Sequence, residues 1–107
     1  MSNWLHVAAI ARVDELKDID FEEYFSPMPK GSEDGLTITC WVNPKENHAN
    51  RYTVSLFGDL RHRDDPQSIV DWFKDKCRGL YIRNAAITVH NGFEAPVVWC
   101  AGWMDKR

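Results

Sequence analysis

Two arginines flank a histidine at positions 61 to 63, between a predicted strand and a predicted helix. Guanidinium groups beside the free N–H groups of a helix N-terminus favour binding of an anion such as phosphate, so Arg61 and Arg63 are candidate ligand-binding residues. In the alternative interpretation this segment is a solvated loop whose arginines pair with the carboxylates of Asp59, Asp64 and Asp65. Because those carboxylates neutralise the arginines, and the sequence has no glycine-rich phosphate loop, the solvated loop is favoured.

A second candidate site combines aromatic rings with cations on the outward rows of the predicted strands. Arg12 ends the outward row of the first strand, and Arg83 lies on a strand that neighbours it in the predicted sheet. Trp41 and Phe57 occupy outward positions of a paired hairpin, where aromatic rings can stack on bases or nucleotides. The complete predicted ligand-binding set is Arg12, Trp41, Phe57, Arg61, Arg63, Arg83 and Trp99. The alternative, at least as well supported, is that this face is a dimer interface or packs under a loop.

The remaining titratable residues form no recognisable catalytic or metal motif. The four histidines share no spacing with a carboxylate or thiol that predicts a metal site, and no G-x-S-x-G nucleophile motif is present. The four aspartates between positions 59 and 71 could chelate Mg²⁺, but helix capping and solubility explain them better. Three well-separated cysteines without a C-x-x-C pair predict free thiols in a reducing compartment. We therefore expect no catalytic residue, no metal and no cofactor.

Length and composition place the chain among single-domain globular proteins. It has 107 residues, 44% of them hydrophobic and 27% charged, which suits one domain spanning residues 1–107. Its formal net charge of −3 gives no global basic field, which argues against a nucleic-acid partner. Five tryptophans are many for a small core, so some are expected at a pocket or interface. Without a leader-like or membrane-spanning apolar run, the sequence predicts a soluble cytoplasmic protein with no membrane partner.

The clearest single element is a helix predicted over residues 66–78. Pro66 suits the first helical position, and Asp64 and Asp65 are predicted to cap the free N–H groups of the first turn. Gly79 is predicted to end the helix in a left-handed conformation. The apolar stripe that should face the core consists of Ile69, Val70, Phe73 and Cys77.

The other elements follow from alternation and from turn residues. Strands are predicted over residues 3–13, 36–42, 52–57, 80–90 and 97–101, and a short helix over 21–25. Because both rows of the first strand carry apolar residues, that strand is predicted to be central. Gly58-Asp59 predicts a break after the third strand, Arg83-Asn84 a register change and Asn91-Gly92 a hairpin turn. The order predicts an α+β, ferredoxin-like βαββαβ fold with an extra C-terminal strand, a mostly antiparallel sheet and both helices on one face.

Three segments together resemble parts of small accessory proteins encoded by bacteriophages. They are residues 3–12 (NWLHVAAIAR), 53–61 (TVSLFGDLR) and 69–77 (IVDWFKDKC). The resemblance spans most of the chain and carries no catalytic motif. It implies a phage accessory protein that acts in the cytoplasm of the infected bacterium and antagonises a host defence, or redirects a host enzyme, by binding rather than by catalysis.

Residues and resemblance together favour one function. This function is the non-enzymatic binding and sequestration of a small nucleotide-derived immune signal, with arginines contacting phosphate and aromatic rings holding a base. One alternative is a protein–protein inhibitor of a host defence effector such as a CRISPR nuclease, using the acidic segment Asp18–Glu23. Another is a small nucleic-acid-binding module. Self-association is also expected, because an uncovered sheet face would expose more apolar surface than monomers usually tolerate.

Overall fold

The computed structural model describes residues 4–15, 18–31, 35–46, 49–61 and 65–102, which form an α+β structure. Seven elements follow in the order β1 (Trp4–Glu15), α1 (Phe21–Tyr24), β2 (Thr37–Glu46), β3 (Ala49–Arg61), α2 (Pro66–Arg78), β4 (Ile82–His90) and β5 (Val97–Ala101). The strands form one antiparallel sheet in the order β2-β3-β1-β4-β5. The predicted α+β class and the central position of β1 are therefore confirmed.

Strict alternation in β1 divides the sheet into two faces. Every second side chain from Leu5 to Val13 is buried, whereas Ala8, Ile10 and Arg12 between them are exposed. Because β1 pairs with β3 on one side and with β4 on the other, the same division extends across the sheet. We call the buried side the helix face and the other side the open face.

The helix face carries the hydrophobic core. α2 buries the stripe that its spacing predicts, which is Ile69, Val70, Phe73 and Cys77. The ring of Phe21 on α1 lies 5.0 Å from the ring of Tyr52 on β3. Phe25, just after α1, stacks on Phe73 with ring centroids 6.2 Å apart. Both helices therefore contribute to the same core on the same side of the sheet.

The start of α2 agrees with the predicted limit but not with the predicted cap. The helix begins at Pro66, yet the Asp65 side chain makes no capping hydrogen bond. The hydroxyl of Ser68 instead donates to the Asp65 carbonyl at 2.8 Å. Asp64, the other predicted cap, lies outside the described residues. The fixed φ of proline at the first position therefore marks this boundary, without a carboxylate cap from Asp65.

Gly79 ends α2 for a reason different from the predicted one. Its φ is −87°, so the predicted left-handed stop is wrong. A Cβ at this position would collide with the hydroxyl of Tyr24, which donates a hydrogen bond to the Lys76 carbonyl at 2.5 Å. Burial raises the pKa of the Tyr24 hydroxyl above its ordinary value, so the hydroxyl remains a donor over a wider pH range. A side chain at residue 79 would displace the Tyr24 hydroxyl from this hydrogen bond, so the close approach of α1 to the end of α2 favours glycine.

β3 is longer than predicted, because the expected break at Gly58 and Asp59 does not occur. The strand runs to Arg61, and its ladder with β1 continues as far as the pair Trp4 and Arg61. Gly58 adopts a φ of +152° within the strand, and the Leu36 side chain lies 3.4 Å from where its Cβ would be. The predicted turn is thus a glycine inside a continuous strand, beneath a packed leucine.

The C-terminal hairpin agrees with its sequence signals. The pairing of β1 with β4 shifts at Arg83, where the register change is predicted. After β4, the Asn91 side chain accepts hydrogen bonds from the backbone N–H groups of Phe93 at 2.9 Å and Glu94 at 3.1 Å. β5 then pairs antiparallel with β4, which confirms the predicted hairpin.

Replacing Phe73 with Ala tests the packing of α2 on the sheet. Phe73 is fully buried, and its ring contacts Phe25 and Trp99. We expect Phe73→Ala to lower the free energy of unfolding by about 3–5 kcal/mol, because truncating a buried aromatic removes contacts and leaves a cavity. Urea denaturation followed by circular dichroism measures the loss. Tyr81→Ala is the control, since Tyr81 is 69% exposed and should change stability by no more than about 0.5 kcal/mol. Equal losses in the two variants would contradict this packing.

Candidate functional site

The open face presents large apolar and aromatic side chains to solvent. Ile10 on β1 is 43% exposed, Phe57 on β3 is 45%, Val98 on β5 is 55% and Trp41 on β2 is 60%. Exposed apolar patches on a soluble protein often mark binding surfaces. Two groups of polar residues lie at opposite ends of the strands on this face, and we call them the arginine end and the histidine end.

The arginine end is a row across four strands, consisting of Trp41, Thr53, Arg12 and Asn84. Arg12 is exposed and makes no ion pair with any residue that the structure describes. Trp41 and Arg12 lie two strands apart, or about 10 Å at the ordinary strand spacing. A planar group stacked on Trp41 could therefore direct an anionic substituent towards the guanidinium of Arg12.

Two further arginines near this end are paired with one carboxylate. Asp14 Oδ2 lies 3.6 Å from Arg83 Nε, and Asp14 Oδ1 lies 3.8 Å from Arg51 Nε. The carboxylate of Asp14 compensates part of the charge of both arginines. Arg12, rather than Arg83, is therefore the predicted cation whose charge is most available to a ligand.

The histidine end consists of His6 on β1 and its two paired residues, Asp59 on β3 and His90 on β4. His6 Nδ1 lies 2.8 Å from Asp59 Oδ1. An ionised carboxylate only accepts hydrogen bonds, so Nδ1 carries the proton and donates it. In the neutral ring this leaves a lone pair on Nε2. The rings of His6 and His90 have centroids 5.0 Å apart and are tilted by 39°.

The two histidines line a shallow depression of about 350 Å³ on the open face. Phe57, Asp59 and Thr88 also line it. The His6 and Asp59 side chains are 42% and 55% exposed, so water screens the interaction between them. The depression is thus an accessible surface site with an aromatic wall, a hydrogen-bonded imidazole and a second imidazole.

The predicted anion site at residues 61–63 is only partly described. Arg61 is paired across the sheet with Trp4, and its guanidinium carbon lies 5.5 Å from the centre of the Trp4 ring. This cation–π contact holds Arg61 against β1 beside the histidine end. Arg63 and His62 lie outside the described residues, so the anion site they would form stays a prediction.

The predicted aromatic residues do not form one stacking site. Trp41 pairs with Thr53, which is four residues from Phe57 on β3, so the two rings start about 14 Å apart along the strands. Side chains that stand perpendicular to the sheet at that spacing are too far apart to hold one base between them. Trp99 lies on the helix face, where its ring meets that of Phe73 edge-on at 6.1 Å. Trp41 and Phe57 therefore offer two separate stacking positions.

Sequence reasoning missed the grouping of His6, Asp59 and His90. The three residues are far apart in the sequence, and no motif spacing connects them. The signal that could reveal them is their common position on the outward rows of three neighbouring strands, because in this register His6 is paired with both of the others. The predicted break at Gly58 excludes Asp59 from β3, so the sequence prediction does not place Asp59 beside His6.

Neither metal-site geometry nor comparison with known proteins assigns a function. Within the ranges that the structure describes, no three His, Cys, Asp or Glu side chains are grouped to hold a metal ion between them. None of the helices formed by those residues is long and apolar enough to cross a membrane. No protein-family model, curated protein or solved structure matches the chain. Function is therefore inferred from the open face itself.

Replacing Asp59 with Asn tests whether the histidine end contributes to stability. Exposed ion pairs contribute about 0.2–1 kcal/mol, so we expect Asp59→Asn to change the free energy of unfolding by less than about 1 kcal/mol. The neighbouring Leu60 is buried on the helix face, and Leu60→Ala should cost about 2–5 kcal/mol. Urea denaturation of both variants measures the difference. A loss of several kcal/mol in Asp59→Asn would mean that the pair is structural.

Proposed function

We propose that the open face binds a small phosphorylated ligand with a planar base, such as a nucleotide-derived signal, and sequesters it without catalysis. The observation that carries this proposal is the arginine end, where an exposed aromatic ring and an exposed guanidinium share one row. Binding is all that this row offers chemically, because Trp41, Thr53, Arg12 and Asn84 supply stacking, charge and hydrogen bonds but no general base.

Each member of the row has a defined role in such binding. Trp41 supplies a stacking surface of the kind that contributes about 1–3 kcal/mol per base. Arg12 supplies charge-assisted hydrogen bonds to a phosphate, worth about 1.5–3 kcal/mol each. Thr53 and Asn84 flank Arg12 on the neighbouring strands and offer a hydroxyl and an amide to a sugar or a base edge. Phe57 provides a second stacking position for a larger ligand.

The strand order supports the use of this face. We infer that the fold is the ferredoxin-like βαββαβ arrangement with β5 added beside β4. Without β5 the order is β2-β3-β1-β4 with antiparallel neighbours, and a helix follows both β1 and β3 in the chain. This arrangement packs both helices on one side and leaves the other side available to a ligand. β5 widens the open face by one strand.

The biological setting is proposed from the resemblance of three segments to phage accessory proteins. In that setting the protein acts in the cytoplasm of an infected bacterium, where it lowers the free concentration of a host immune signal. Binding alone is sufficient for this effect, because a protein that is in excess over its ligand lowers the concentration of free ligand by holding one ligand per binding site. Antagonism of antiviral defence is therefore the proposed consequence of ligand binding on the open face.

The acidic segment Asp18–Glu23 supports a protein–protein inhibitor less well. The Asp20 carboxylate caps α1 by accepting a hydrogen bond from the backbone N–H of Glu23 at 3.3 Å. Asp18 also interacts within the chain. Part of the acidic surface that would mimic nucleic acid is thus used inside the fold.

A second copy of the chain is the alternative occupant of the open face. Arg12 and Asp59 lie on this face towards opposite ends of the β1–β3 ladder. A twofold axis running across the strands at the level of Ala9 would bring Arg12 over Asp59 of the partner subunit. The exposed Ile10 and Phe57 would then lie inside the interface. Dimer formation and ligand binding would compete, because both use the same surface.

Substitution of Arg12 tests the ligand site. A thermal-shift screen against mono-, di- and cyclic nucleotides identifies a ligand, because a ligand at 100 times its Kd adds about 2.7 kcal/mol to the free energy of unfolding. Calorimetric titration then gives Kd for each variant. We expect Arg12→Ala to weaken binding roughly 10- to 150-fold, which corresponds to one charge-assisted contact, while the Tm of the empty protein stays nearly unchanged.

Arg78→Ala is the matched control for this experiment. Arg78 lies at the end of α2, away from the open face, and its guanidinium is 3.7 Å from Asp75. This variant should bind like the parent, whereas Trp41→Ala should lose about 1–3 kcal/mol of binding free energy. Unchanged affinity in both Arg12→Ala and Trp41→Ala would overturn the proposed site.

Light scattering tests the alternative of a face-to-face dimer. If a second copy covers the open face, the parent should be a dimer at micromolar concentration. Arg12→Glu should then dissociate it, because the substituted carboxylate would face Asp59 of the partner subunit. A monomeric parent, or a dimer that survives Arg12→Glu, would contradict this interface.

A further inference from the structure

We propose that His6 and His90 form a binding site for one divalent transition-metal ion, with Asp59 orienting the imidazole of His6. The ion would be bound by one nitrogen of each ring. Water or an anion in the depression would complete its coordination. This site lies at the histidine end and does not depend on the nucleotide proposed for the arginine end.

The separation of the two rings fits a shared metal ion. An imidazole nitrogen binds Zn²⁺ at about 2.0–2.1 Å and the ring centre lies about 1.1 Å beyond it, so two rings at a tetrahedral angle have centroids about 5.1 Å apart. The rings of His6 and His90 are 5.0 Å apart. The two residues are direct partners on neighbouring strands, so the backbone already holds this spacing. The spacing of the two rings is therefore compatible with one shared ion.

Asp59 gives His6 the tautomer that metal binding requires. Because the Nδ1–H group donates a hydrogen bond to Asp59 Oδ1 at 2.8 Å, Nε2 of the neutral ring keeps its lone pair. A carboxylate behind a metal-binding imidazole also fixes the ring orientation and increases the basicity of the ligand, and its loss typically costs 10- to 100-fold in affinity. The same interaction that contributes little to stability can therefore contribute much to metal affinity.

The ligand type selects the class of metal. Imidazole nitrogen suits Zn²⁺, Ni²⁺ and Cu²⁺, whereas Mg²⁺ and Ca²⁺ prefer oxygen ligands. Since the part of the chain that the structure describes has no group of three metal-binding side chains, the ion would have only two protein ligands here. The depression around His6 and His90 gives the remaining coordination positions access to water or a small anion. The site would thus resemble open metal sites, which keep exchangeable positions, rather than closed structural ones.

Calorimetric titration with Ni²⁺ tests the site. The protein used as the parent in this titration carries the substitutions Cys40→Ser and Cys100→Ser, because both thiols are exposed and would compete for the metal. We expect one Ni²⁺ per chain in this parent, loss of that binding in His6→Ala and in His90→Ala, and affinity 10- to 100-fold lower in Asp59→Asn.

The two remaining histidines provide matched controls. His48→Ala and His62→Ala remove an imidazole that is not part of the pair, and both variants should bind Ni²⁺ like the parent. Because the His6 side chain is 42% exposed, the empty His6→Ala variant should melt at the parent temperature. His6→Gln keeps the side-chain volume and replaces His6→Ala if the latter fails to fold. Parent-like binding in the His6 and His90 variants, an equal loss in the controls, or no binding by the parent would overturn the proposal.

Paramagnetic broadening of amide signals locates the ion without substituting its ligands. Substoichiometric Cu²⁺ should broaden the amides of Thr88 and Phe57, which line the depression. It should leave the amide of Arg12 sharp, since six residues of extended strand place Arg12 about 20 Å from His6. Broadening centred on any other part of the chain would overturn the assignment to this pair.

Discussion

The structure depends on the double pairing of β1. This strand lies between β3 and β4, so its alternating side chains decide which residues of both neighbours face the helices. A shift of one residue would expose Leu5 and Val7 and would bury His6 and Arg12, at the cost of the core and of unpaired polar groups. Burial of one apolar row therefore fixes the register. The same register creates the open face without any further constraint.

Two carboxylates determine what each end of the open face can bind. Asp14 lies within 4 Å of two arginines and so leaves Arg12 as the more available cation at its end. Asp59 accepts a hydrogen bond from His6 Nδ1, so Nε2 is the ring nitrogen of His6 that remains available to a ligand. The arginine end is therefore the proposed anion site, and the histidine end is the proposed metal site. Because about 20 Å of strand separates them, a small ligand reaches only one end.

The features that the sequence predicts are those whose causes lie within one element. The limits of α2 at residues 66–78 follow from its own apolar spacing and from the proline at its start. The predictions for Gly58 and Gly79 are both wrong, because pairing with β1 determines the role of Gly58 and a side chain from α1 determines that of Gly79. The exposure of Arg12 was predictable from alternation alone, whereas the pairing of Arg83 with a carboxylate on β1 was not. Contacts between distant segments require the register, which alternation along single strands does not define.

A methyl-resolved NMR titration with a nucleotide ligand tests most directly whether the open face is the binding surface. The methyl groups of Ala8, Ile10 and Ala86 report on the open face, and those of Leu5 and Val89 report on the helix face. We expect chemical-shift changes at the first group, strongest near the arginine end, and little change at the second. Changes centred on the helix face, or on the helices themselves, would contradict the account.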